Sequence, residues 1–234
     1  MTRPTIALII LAVGLLAVIL AVGRRLARNW HRDKLKQTPF PDAWRTILEE
    51  DFPLYPKLPA ALRDQLHHRI QVLLAEKTFI GCGGLEVTDE MRVLIAAQAA
   101  VLILNRDTSF YSGLHTIFIY PSAYVARNLR TDASGVQHES GDVRLGESWQ
   151  NGPLVLSWDD VNRGAYNVQD GHNVTMHEFA HQLDQEDDAS DGTPILDNCT
   201  AYTSWAATFK HDFVALREKL EHGGKDLLDD YAAT

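Results

Sequence analysis

The sequence predicts an α+β protein: a mainly helical domain with a small, mostly antiparallel sheet, preceded by one N-terminal transmembrane helix. Three observations predict it. Ile6–Gly23 is an uncharged apolar run. Downstream, leucines and aromatics recur at the three-to-four-residue spacing of helices with one buried face. Between two such stretches, three short runs rich in β-branched and aromatic residues are punctuated by Gly, Asn and Pro turns.

The 18 residues of Ile6–Gly23 span about 27 Å as a helix, close to the hydrocarbon thickness of a bilayer. The basic residues Arg24, Arg25, Arg28, Arg32, Lys34 and Lys36 follow it, and only Arg3 precedes it. Positive charge on that side keeps the following domain in the cytoplasm. A cleavable signal peptide, cut near Ala21 or Gly23, is the alternative, but it wants its charge before the apolar core. Pro39, Pro41, Pro53, Pro56 and Pro59 punctuate the next stretch, with a short helix over Ala43–Glu50. The chain thus divides into an anchor over 1–23, a basic then Pro-rich linker over 24–59, and one domain over 60–234.

Leu62, Leu66, Ile70, Leu73 and Leu74 predict an amphipathic helix from Ala60 to Lys77, and Gly81–Gly84 reads as a turn. Thr88, with Asp89 and Glu90 behind it, starts the next helix by capping and by the helix dipole. That helix, Met91 to Leu104, is apolar nearly all round and reads as the central core helix. The strand candidates are Thr116–Tyr120, Val143–Gly146 continuing toward Trp149, and Leu154–Trp158. The stretch from Gly152 to Trp158 reads either as an edge strand able to hold a peptide by strand addition, or as an ordinary internal strand. Gln185–Gly192 is an acidic loop that fits no calcium register. Trp205, Phe209, Phe213, Leu216 and Leu220 give Tyr202–Glu221 a core-facing stripe.

A net charge of −9 argues against nucleic acid as a partner. Cys82 and Cys199 stand far apart, without nearby cysteines, and read as ordinary thiols.

The chemistry concentrates in His177-Glu-Phe-Ala-His181. Residues four apart lie one above the other on a helix, so His177 and His181 can aim two imidazoles at one point. Glu178, next to the first, can reach a water on a metal held there. This HExxH spacing supplies two zinc ligands and a general base. Asp184, one turn beyond His181, either orients an imidazole N–H from outside the ligand shell or caps the helix end.

The segment His172-Asn-Val-Thr-Met-His-Glu-Phe-Ala-His-Gln-Leu-Asp184 resembles the MtfA (Mlc titration factor A) family of zinc-dependent peptidases. So do Gly146-Glu-Ser-Trp149, Gly152-Pro-Leu-Val-Leu-Ser-Trp-Asp-Asp-Val161 and Met91-Arg-Val-Leu-Ile-Ala-Ala-Gln98, and the resemblance runs from about residue 40 to the end. It implies a zincin-like, gluzincin-type metallopeptidase domain holding Zn2+ and cleaving peptide or protein substrates, aminopeptidase-like, near a chain terminus. It implies that Tyr231 donates a hydrogen bond to the oxyanion; a surface tyrosine is the other reading of that residue. It also implies a second role, binding a transcriptional repressor of the Mlc type, in a bacterium and on the cytoplasmic side of the inner membrane. In the family a glutamate completes the zinc site, in a Pro-Ala-Glu stretch shortly after a Tyr-Ala pair. Here Tyr231-Ala232 matches the pair and the sequence ends at Thr234, while Glu218 and Glu221 precede it. The expectation is a C-terminally incomplete sequence of an active family member, with the third ligand beyond Thr234; a chain that truly ended there would be expected to lack peptidase activity.

Overall fold

The computed structural model describes residues 3–106, 109–122, 124–131, 137–144, 146–148, 152–186, 192–196 and 198–222. Tyr231, Trp149 and the acidic positions Asp187, Asp188 and Asp191 lie outside the described residues. The chain forms two compact units, Met1–Phe40 and Pro41–Thr234.

The first unit is a single helix, α1 (Arg3–Gln37). It holds an 18-residue window of mean hydropathy 2.1, none of it buried, long and apolar enough to cross a membrane. The helix runs on without a break through the basic stretch after Gly23.

In the second unit, α2 (Asp42–Asp51), α3 (Ala60–Glu76) and α4 (Asp89–Leu102) pack together. Leu66, Ile70, Leu73 and Leu74 of α3 are buried, as their spacing predicts. Thr88 caps α4, its side chain accepting from Met91 N. Residues Val93–Ala100 of α4 are all buried, so α4 is the central core helix that its composition predicts. The polar exception, Gln98, donates to Leu94 O and to Val161 O in α5 (Trp158–Tyr166), tying the two helices together.

The main sheet has the order β1-β2-β6-β5, with β1 (Thr78–Gly81), β2 (Thr116–Tyr120), β6 (Leu154–Ser157) and β5 (Gly146–Ser148). β1, β2 and β6 run parallel, and only β5 is antiparallel to its neighbour. The mostly antiparallel sheet expected from sequence is therefore corrected to a mainly parallel one. The cause lies in the connections. The β1–β2 link crosses over through α4, and the β2–β6 link contains a separate antiparallel hairpin, β3 (Tyr124–Thr131) with β4 (Gln137–Arg144). Connections this long permit parallel pairing, whereas short turns would impose antiparallel pairing. The Gly141-Asp142 turn signal falls inside β4. β6 is an internal strand between β2 and β5, so the edge on that side of the sheet belongs to β5 and the other to β1.

α6 (Val174–Asp184) packs against α4, α5 and β5. α7 (Cys199–Glu221) departs from its expected role as a core helix. Leu216 is buried but Phe209 is 52% exposed. Trp205, Phe209 and Phe213 stack on one another along the helix, with centroids 5.7 and 6.3 Å apart. Both cysteines are free thiols.

Candidate metal centre

The sequence ahead of α6 builds its start. Asp170 closes a polar turn, accepting from Asn167 Nδ2 at 2.8 Å and from His172 N at 3.0 Å. Gly171 then takes φ 71°, a left-handed conformation that glycine adopts without steric cost. Asn173 caps the helix: its Oδ1 accepts from Met176 N at 2.8 Å, and its Nδ2 donates to Gly164 O of α5 at 2.9 Å. One side chain thus satisfies an orphan helix N–H and fixes α6 to α5.

Helical period then divides the residues of α6 between two sides. Val174, Phe179 and Leu183 are buried, and the Phe179 ring meets Tyr111 edge-on with centroids 4.9 Å apart. His177 and His181, about half a turn away from Phe179, stand on the other side. Their rings are perpendicular, with centroids 4.5 Å apart, and their Nε2 atoms approach to 2.9 Å. His181 is exposed and His177 half-buried, so the pair opens to the surface. Burial, with His181 beside it and His172 nearby, lowers the His177 pKa to about 4. That imidazole is neutral at neutral pH and keeps a lone pair for a metal.

Glu178 is 4% exposed, on the same turn as His177. Asp184 ends the helix on the histidine side, half-buried, and its Oδ1 is buried with no hydrogen-bond partner among the described residues. The structure therefore brings His177, Glu178 and His181 onto one helix stretch, with Asp184 one turn beyond.

These residues fit a zinc ion. Zinc bonds imidazole nitrogens at about 2.0–2.1 Å in tetrahedral geometry, which sets two such nitrogens roughly 3.3 Å apart. The Nε2 atoms at 2.9 Å need to part by only a few tenths of an ångström. Among the described residues, no third His, Cys, Asp or Glu joins them in a metal-binding group.

Sequence reasoning did not single out Asn173 or His172. An Asn directly before an apolar-periodic run is a helix-start signal that points to Asn173. His172 has no such signal, because its effect on His177 depends on how the preceding loop folds.

Comparison with known proteins places the chain among relatives. The family model described as "Glucose-regulated metallo-peptidase M90" matches residues 27–234. A Synechocystis protein called "Uncharacterized protein slr2042" is 38% identical over 232 residues, covering 99% of this chain and 84% of that protein. Mlc titration factor A of Yersinia pestis is 28% identical over 194 residues, covering 82% of this chain and 70% of that protein.

Proposed function

The chain belongs to the MtfA, or M90, family of glucose-regulated metallo-peptidases, and from that premise we propose that it hydrolyses peptide bonds with a zinc ion held by His177 and His181. The observation that carries this reading is the convergence of the two Nε2 atoms at 2.9 Å beside a buried Glu178. A bound zinc ion supplies Lewis acidity, polarising a carbonyl and acidifying a water. Glu178 takes the proton of the attacking water and returns it to the leaving amine nitrogen. Burial of the carboxylate on the turn that carries His177 restricts its motion and holds it ready for that transfer. Asp184 brings a carboxylate oxygen that has no partner among the described residues to the histidine side of the helix, suited to orienting an imidazole N–H. Tyr231 donates to the oxyanion. β5, the sheet edge that packs against α6, lines up an extended peptide by strand addition. The domain is zincin-like, and cleavage falls near a chain terminus. α1 anchors the protein in the inner membrane of a bacterium, with the domain on the cytoplasmic side.

Glu178→Gln tests the assignment of the base. The variant is expected to keep its zinc while peptide turnover falls by about 10²–10⁴-fold. Turnover within a few-fold of the parent would remove Glu178 from the role.

A second reading is favoured by one observation, the name of the Yersinia relative, Mlc titration factor A. In this reading the chain captures a transcriptional repressor of the Mlc type, and hydrolysis is secondary. Capture of purified Mlc that persists after His177→Ala and His181→Ala would show binding to be independent of the metal site. Loss of capture would tie the two together.

A further inference from the structure

Because α1 is one unbroken helix to Gln37, the charges after Gly23 have fixed angular positions. At about 100° per residue, Arg24, Arg25, Arg28, Arg32 and Lys36 fall within about 120° of the circumference. Leu26 and Trp30, 63% and 67% exposed, stand on the opposite side, where Lys34 Nζ lies 5.6 Å from the Trp30 ring centroid. The basic excess is local to this segment. Residues 38–234 carry fifteen Lys and Arg against thirty Asp and Glu. Within the arc, Arg24 and Arg28, Arg28 and Arg32, and Arg32 and Lys36 are like-charge pairs one turn apart, which repel one another on a helix. Anions laid along the arc relieve that repulsion.

The position of the arc indicates which anions. The apolar window of α1 is wholly unburied, so the hydrocarbon of a bilayer is the cover its chemistry fits. The arc starts one residue past the apolar run. Arg24, Arg25 and Arg28 therefore lie within about 8 Å of the hydrocarbon edge along the helix axis, at the depth of lipid phosphates. Arg32 and Lys36, roughly 14–20 Å out, reach that layer when the helix leans toward its basic side and the long side chains extend back. We infer that the basic arc of residues 24–36 binds the headgroups of anionic phospholipids in the leaflet from which α1 emerges, and tilts α1 toward them. The inference rests on the membrane-spanning reading of α1 and is independent of the metal centre.

The test reconstitutes the full chain in phosphatidylcholine vesicles containing phosphatidylglycerol, with either lipid spin-labelled, and compares the lipid immobilised around the protein by electron paramagnetic resonance. The expected preference for phosphatidylglycerol is roughly fivefold at low salt. It should fall toward one at about 0.5 M salt, where the Debye length is roughly 4 Å. It should fall likewise in the combined variant Arg24→Gln, Arg28→Gln, Arg32→Gln, Lys36→Gln, while Lys34→Gln, outside the arc, keeps most of it. Equal immobilisation of the two lipids by the parent chain would overturn the inference. So would a Lys34→Gln loss as large as that of the combined variant. The absence of any immobilised lipid would overturn the spanning helix along with it. The salt titration uses the unaltered chain, so it decides the matter even where the combined variant fails to insert.

Discussion

Lys77 is 7% exposed, and its ammonium donates to Tyr111 O and Leu114 O, both at 2.7 Å. Those carbonyls belong to a loop in which Phe110 and Tyr111 both take left-handed backbone angles, φ 59° and 55°. Each such residue costs about 1–3 kcal/mol and persists only where its surroundings hold it. Lys77 holds the loop from one side. On the other, Tyr111 Oη donates to Ala99 O at 2.7 Å, and the Tyr111 ring packs on Phe179 behind the histidines. Lys77→Met is expected to lower unfolding stability by about 2–4 kcal/mol, through two buried carbonyls left without a charged donor. Urea denaturation measures it, and a loss below about 0.5 kcal/mol would show that the loop holds itself. Phe179→Ala is expected to cost about 3–5 kcal/mol by the same measurement, as a buried aromatic removed from a packed core. The role of Phe179 was legible, since it stands between two histidines on the opposite side of a periodic helix. That of Lys77 was not. A lysine at a helix end reads as solvated, and its two acceptors lie more than thirty residues away in sequence.

At the scale of elements, α6 depends on the residue that caps it, Asn173. Asn173→Ala removes both the cap to Met176 N and the tie to Gly164 O. The expected loss is about 1–2 kcal/mol, measured by thermal or urea unfolding; Asn173→Asp, which keeps the capping oxygen, should recover part of it. Loss of stability to the same extent in both variants would place the weight on the Gly164 tie. Helix α3 was readable from apolar positions that repeat at helical spacing, α4 from a capped run that is apolar nearly all round, and α6 from the four-residue spacing of its two histidines. α5 was not read as a helix, and its first residue, Trp158, was read as the end of a strand because it prolongs the apolar run of Leu154–Ser157. Its signal was nonetheless present: Ser157 caps it by accepting from Asp160 N, and Asp159 and Asp160 fill its first turn. Four-residue β1 is too short to show a period. Strand direction was not legible at all, because it follows from where the connections cross, and no local residue pattern records that.

At the scale of the molecule, the chain separates a helix suited to lipid from a unit with its own core. Residues 41–234 expressed alone are expected to remain soluble without detergent and to unfold in one cooperative transition seen identically by fluorescence and circular dichroism. Aggregation of that unit, or transitions that differ between the two probes, would show that it needs the first forty residues. The placement of the three motif residues on one helix was more legible in the sequence than the sheet beside it. His177, Glu178 and His181 share one helix, whose geometry is local, whereas the sheet is assembled from strands spread over Thr78 to Ser157. Zinc bound per chain, determined by elemental analysis after equilibrium dialysis, tests the metal centre most directly. One zinc per parent chain, falling to near zero in both His177→Ala and His181→Ala, is the expected result; zinc retained at one per chain in either variant would contradict the assignment.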